Sequence, residues 1–430
     1  MSDRTSIRDT DGRLTRRRFV AASGTAATVG LAGCSGLFGG GTPLEVLHGW
    51  TGGDGARAAE ALVEAFEEEF PDMDADFEAI GGGGNANLDA VVTNRLGDDD
   101  PPSSFANWPG KNLQKYSGAL GNVNDVWEDN DFADAHVDEA VELHQTNGTY
   151  RAVPLGSHRL NNLFYNIEVV ESAGVDPSGI DSVETLVDAL ETVATETDAV
   201  PFTHLLSSPW ATIQLFGTMM IGQHGVSAYN DFIDGDPDED AVTTTFQSMK
   251  TIMENYISDD ASTIDLTESN QKIISGDAAF IHQGNWAAGA FRNADDFAYE
   301  EEWGATSFPG TEGIYELHFD SFLYPSDNPT ESKSKDFLGF IGGTDAQIAF
   351  NQYKGSIPTR TDADMSEFGP YLQDVQEDFA NAEARPRNLY HGLGVVADVR
   401  TTMEDVISGR FSGPFNANRA ATGFVNAVSN

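Results

Sequence analysis

Cysteine occurs once in this 430-residue chain, at Cys34. Everything beyond it is without a disulfide framework, a thiolate-bound zinc or a cysteine nucleophile of its own. Lysine is nearly as scarce, with seven in the chain against 69 Asp and Glu. Six of the 24 basic residues and three of the 69 acidic ones precede Cys34, which leaves 18 against 66, a balance of −48, on the remainder. Such a surface repels phosphate backbones, so no nucleic-acid partner is expected. The nine histidines include no His-Glu-x-x-His and no close pair at ligand spacing, so no metal is expected. Gly-x-Ser-x-Gly and Gly-Lys-Ser/Thr are missing, which removes the nucleophile elbow and the P-loop, and no cofactor is called for.

What the chain does have begins at its N-terminus. Thirteen small and apolar residues, Phe19 to Leu31, lie between Arg16-Arg17-Arg18 and Cys34. A bilayer span needs about 20, so this run reads as the h-region of a signal peptide. Thr15 to Val20 fits a twin-arginine export signal and Leu31-Ala32-Gly33-Cys34 a lipobox. Residues 1–33 are expected to be a cleaved leader, Cys34 the lipid attachment point, and 34–42 a glycine-rich tether. The protein is then expected on the outer face of the cell membrane. The acids of the exported part are scattered and 40% of the chain is hydrophobic, so the charge belongs to a folded surface suited to molar salt, where the Debye length falls to about 3 Å.

About 390 residues after Cys34 exceed one ordinary core and predict two domains. Leu44 to Leu47 reads as a strand, and Ala59, Leu62, Val63, Phe66 and Phe70 recur at helical spacing until Pro71. Met73 to Ile80 alternates strictly, Ala86 to Leu96 is helical, and Ser103 to Ala106 is extended. This β-α-β-α-β order predicts a mostly parallel sheet flanked by helices. Further on, Val183, Leu186, Val187 and Leu190 mark a helix, Asp234 to Asp240 an acidic turn, and Leu163 to Asn166 and Phe319 to Pro325 two strands. Asn147-Gly148-Thr149 is an N-glycosylation acceptor sequence.

One group of residues suggests a ligand. Trp50, Trp108, Trp210 and Trp286 each stand beside Gly, Asn or Pro, accompanied by His158-Arg159, Asp320, Lys354 and His391. A pyranose offers an apolar C–H face to a flat aromatic ring and a ring of hydroxyls to charged or planar polar groups. Two carboxylates of a glycoside hydrolase would need the same surroundings, but among 69 acids their spacing carries little information.

At these residues the chain resembles the family 1 extracellular solute-binding proteins, receptors of ATP-driven sugar importers, and within them the glucose and galactose receptors. The likeness rests on Trp50-Thr51-Gly52-Gly53, Gly82-Gly83-Gly84-Asn85, His158-Arg159-Leu160-Asn161, Gly276 to Phe280 leading to Gly284-Asn285-Trp286, Phe319-Asp320-Ser321-Phe322, Lys354-Gly355-Ser356-Ile357 and His391-Gly392. It implies a periplasmic-binding-protein fold of the maltose-binding type, with two α/β lobes of mostly parallel sheets and three crossover segments. The lobes would comprise 43–157 with 322–358 and 158–321 with 359–430, bending near Ser157 to Asn162, Phe319 to Phe322 and Ser356 to Thr359. It implies a monomeric, non-enzymatic receptor that captures glucose or a related hexose and hands it to an ABC permease, with a lipid-anchored glycosidase as the rival reading. Trp286 would stack on the sugar, Asp320 would accept from its hydroxyls, and Lys354, His391 and His158 would assist. Trp50, Asp54, Asn85, Trp108, Arg159 and Trp210 complete the expected site. The pattern departs from those receptors at Trp108, where they carry histidine, and at Leu266, where they carry a second tryptophan.

Overall fold

The alternating strands and amphipathic helices at the head of the chain build one side of a layered α/β molecule. The computed structural model describes residues 41–53, 55–81 and 85–429, so the expected leader, Cys34, most of the tether and Asp54 lie outside the described residues. Strand β1 (Leu44–His48) is followed by helix Gly55–Glu69, β2 (Ala75–Ala79), helix Ala86–Gly97 and β3 (Ser104–Asn107). The first helix buries Ala58, Ala59, Leu62 and Phe66 on one stripe, and the chain leaves it at Phe70, where Pro71 cannot supply the next amide donor. β1 pairs in parallel with both β2 and β3.

A short hairpin follows, β4 (Gln145–Thr146) and β5 (Thr149–Tyr150). Its turn residues Asn147 and Gly148 have φ of 52° and 73°, the pair that a two-residue hairpin requires, and Asn147 is exposed at the tip. The remaining strands are β6 (Ala152–Arg159), β7 (Asn162–Asn166), β8 (Val200–Phe202), β9 (Ala278–Gln283), β10 (Trp303–Ser307) and β11 (Leu317–Leu323). They complete two larger sheets, in the orders β2-β1-β3-β11-β6 and β10-β7-β9-β8. Both are mixed rather than mostly parallel: β11 runs antiparallel to β3 and to β6, and β7 runs antiparallel to β9 and to β10. The cause is topological. β6 carries the chain away from the first sheet and β11 brings it back, so the two lie side by side in opposite senses.

Each sheet has its own apolar core. Val46, Leu62, Phe66, Phe105, Val153, Leu155, Phe322 and Phe350 belong to one, while Leu160, Phe164, Phe280, Leu317, Phe319 and Ile357 belong to the other. Strand β6 therefore changes core between Leu155 and Leu160, β11 between Phe319 and Phe322, and the chain crosses a third time between Phe350 and Ile357. These crossings are tied together. Ser157 and Ile357 exchange backbone hydrogen bonds of 2.8 and 3.0 Å, and Asn351 Nδ2 donates to the Leu155 carbonyl at 2.9 Å. Gly355 turns the chain at φ 84°, with its Cα against the Asn285 carbonyl where a Cβ has no room.

Candidate functional site

Between the two cores lies a cleft of about 740 Å³. Its base is made by β6 and β11, whose register sets His158 directly opposite His318 and Asp320 opposite Gly156. Side chains two apart on a strand share a face, so His318 and Asp320 point the same way. The register slips between Asp320 and Ser321, a bulge at the point where the strand changes core.

Among the described residues, Asp320 is the only cleft carboxylate that is deeply buried, 6% exposed. One oxygen lies 3.1 Å from His158 Nε2 and the other 3.4 Å from His318 Nε2. Burial pushes this carboxyl up, but hydrogen bonds from His158 and His318 outweigh it and hold the group well below the usual carboxylate range. Burial pushes His318 down to about 4 and His391 well below its ordinary value, so both are neutral imidazoles near pH 7. His158 Nδ1 is held 2.5 Å from Asn285 Oδ1.

Tryptophans wall this polar centre. Trp286 opens helix Trp286–Arg292, and its indole Nε1 donates to Gln283 Oε1 at 3.0 Å, which fixes the ring. Its ring centroid is 5.3 Å from His158, 5.6 Å from His391 and 6.3 Å from Trp210, and Lys354 Nζ stands 5.9 Å from it. Trp108 follows β3 and meets His391 edge-on at 4.3 Å. On the first lobe Trp50 leans on Phe350 at 4.6 Å and shares the cleft wall with Asn85, which precedes helix Ala86–Gly97 in a left-handed conformation and makes no side-chain bond to its amides.

The structure thus gathers Trp50, Asn85, Trp108, His158, Trp210, Trp286, Asp320, Lys354 and His391 around one cavity. Arg159 is a correction. It is buried with Nε on Asn162 Oδ1 at 2.7 Å and Nη1 on Asp378, and does not line the cleft. The reason is strand geometry: His158 faces the cleft, so its neighbour on β6 must face away. Sequence reasoning missed His318, Ser207, Ser208, Asp265 and Thr267, which do line it. His318 was open to detection, since it stands two residues before Asp320 in an extended run. Leu266 also lines the cleft, where it opens helix Leu266–Ile274 behind an Asp265 capping box. Apolar walls around a few convergent polar groups describe a binding pocket. Among the described residues no cluster of His, Cys, Asp and Glu is arranged to hold a metal.

Residues 61–381 match the family described as bacterial extracellular solute-binding protein. The xylose/arabinose-binding protein XacG of Haloferax volcanii is 50% identical over 387 residues, which cover 90% of this chain and 84% of that protein. An ABC transporter extracellular-binding protein of Pyrococcus horikoshii is 28% identical, covering 90% and 87% of the two chains. Among solved structures, a chitin oligosaccharide binding protein superposes with a TM-score of 0.78 at 19% identity, over 90% of this chain and 98% of the other. Maltose-bound MalE3 of T. maritima does so with a TM-score of 0.72 at 15% identity, covering 90% and 98%.

Proposed function

Since this chain belongs to the extracellular solute-binding proteins, a family of receptors and not of enzymes, we propose that it captures a monosaccharide in its interlobe cleft and delivers it to an ABC permease. The observation that carries this reading is the single cavity in which an ionised Asp320, neutral imidazoles and two tryptophan faces converge. The family membership displaces the glycosidase alternative. A hexose was expected from the sequence, whereas the 50% identical relative bears a pentose name. We take an aldopentose such as xylose or arabinose as the first ligand and glucose or galactose as the second.

In this reading Trp286 stacks against the sugar's apolar face, and Asp320 accepts from two hydroxyls. Lys354, His158, His318 and His391 supply the remaining polar contacts. Two or three charge-assisted hydrogen bonds at about 1.5–3 kcal/mol each, with about 1 from stacking, suffice after ordering costs for micromolar affinity. The lobes bend about the three crossings, and the closed form is favoured by contacts that only the ligand completes. Export by the twin-arginine route, a lipid at Cys34, the tether and a monomeric receptor complete the proposal.

Isothermal titration calorimetry in multimolar KCl against xylose, arabinose, glucose and galactose tests it. Binding with pentoses ahead of hexoses, and recovery of the sugar unaltered, is expected. Heat from none of the four, or any turnover, refutes it.

A further inference from the structure

Behind the cleft, out of contact with anything bound in it, Glu316 is wholly buried at the entry to β11. Its Oε2 takes the Thr218 hydroxyl at 2.5 Å and its Oε1 takes Asn388 Nδ2 at 3.2 Å. That second bond and the His391 backbone N–H, on opposite ends of the Asn388 amide, together set which way it faces. Its nitrogen points to the carboxylate, and its oxygen receives both the backbone N–H of His391 at 2.8 Å and His391 Nδ1 at 3.0 Å. An amide oxygen only accepts, so His391 Nδ1 must carry the proton. Neutral His391 is left with a lone pair on Nε2; the Gln214 amide nitrogen, 3.2 Å from Nδ1 and 3.3 Å from Nε2, lies between the two nitrogens and favours neither.

We propose that Glu316 is a positioning residue: through Asn388 it sets the tautomer of His391, so that Nε2 faces the ligand's hydroxyls as an acceptor, and its own ionisation decides how firmly. This rests on the sugar-binding reading above and deepens it. The bond from Asn388 is charge-assisted while Glu316 is a carboxylate and ordinary once it is protonated, and the charged form is about twice as strong. Burial lifts this carboxyl to about 7, against the hydrogen bonds from Thr218 and Asn388, so the change falls in the working range.

The other groups facing Glu316 leave it in command. On helix Pro209–Ile233, Tyr229 gives its hydroxyl to the Arg387 carbonyl at 2.7 Å, and burial keeps it un-ionised. From β9, His282 reaches Thr218 Oγ1 at 3.0 Å, and burial pushes it down to about 3. Between β6 and β7, Asn161 Oδ1 accepts the Glu316 backbone N–H at 2.9 Å. The Arg387 guanidinium, one residue before Asn388, turns to Glu142 at 2.6 Å.

The test compares wild type with Glu316→Gln, which keeps the shape and removes the titration. Sugar affinity measured by calorimetry is expected to rise about threefold to tenfold in wild type from about pH 6 to 8 and to stay level in the variant. A level wild-type profile, or a rise that survives in Glu316→Gln, overturns the proposal. Nitrogen-15 spectra of the sugar-free wild type give a second readout that needs neither ligand nor a folded variant. The His391 ring is expected to hold the Nδ1–H tautomer above neutral pH and to lose that preference as Glu316 protonates; an Nε2–H tautomer, or no change, overturns it. Failure of all sugars to bind at one pH would instead refute the function itself.

Discussion

At the scale of single residues the site turns on Asp320. A buried carboxylate is costly unless its hydrogen bonds are made, and here two imidazoles from adjacent strands make them. Asp320→Asn keeps the shape but offers His158 and His318 a neutral oxygen and sets an amide N–H against one of them. Sugar affinity is expected to fall at least tenfold, about 1.4 kcal/mol, in calorimetry at neutral pH, with the circular dichroism spectrum unchanged. Affinity within twofold of wild type would remove Asp320 from the ligand's first contacts. Residues of this kind were legible because their chemistry is unusual for their surroundings: a rare lysine, tryptophans beside Gly, Asn or Pro, a carboxylate in an apolar strand. Arg159 misled because adjacency in sequence was taken for adjacency in space. On β6 neighbouring side chains lie on opposite faces, and the same period of two would have exchanged Arg159 for His318.

The elements differ in how plainly the sequence writes them. β2 alternates apolar and acidic residues because it edges the first sheet with one face in solvent, and its span was read to within two residues at either end. β9, by contrast, is buried along its whole length, and Ala278 to Gln283 shows no period from which a strand can be inferred. Pairing direction was illegible for a different reason. It depends on where the chain returns, which no strand's own residues record. The third crossing shows what such non-local constraints are worth. Gly355 has φ 84°, and a Cβ built on it overlaps the Asn285 carbonyl and comes within 2.7 Å of the Gly289 amide nitrogen. Gly355→Ala therefore meets both left-handed strain of about 1–2 kcal/mol and a backbone collision that no rotamer relieves. We expect a loss of about 2–4 kcal/mol in denaturant unfolding, together with weaker sugar binding. The second effect follows because the displaced segments carry Lys354 and Trp286. A variant as stable as wild type would show that this crossing is free to shift.

For the whole molecule, the scarcity of lysine and the charge of −45 describe the outside, and the inside carries a second titration. Eight of the nine histidines are buried. Burial pushes His136, His144, His204 and His282 down to about 3, and His48 and His318 to about 4. In the unfolded chain these imidazoles titrate near 6.5, so below that pH the unfolded state binds protons that the fold refuses. Stability is therefore lost as pH falls from about 6.5, and the loss continues until the folded values near 4 and 3 are passed. Glu316 acts in the opposite sense. Raised to about 7, it contributes stability that is present at acid pH and disappears as pH climbs from about 4.3 through 7. Asp320, held low, adds to the acid loss only below about 4. Six groups against one leave acid as the destabilising direction, and by about pH 5 each refused proton costs roughly 2 kcal/mol. We expect the calorimetric melting temperature to fall steeply between about pH 7 and 5 at constant KCl, and a level profile would contradict the burial of these imidazoles. Raising KCl should not restore it. Salt screens the repulsion among surface carboxylates, but the penalty on a buried imidazolium is desolvation, which mobile ions in the surrounding water do not reach.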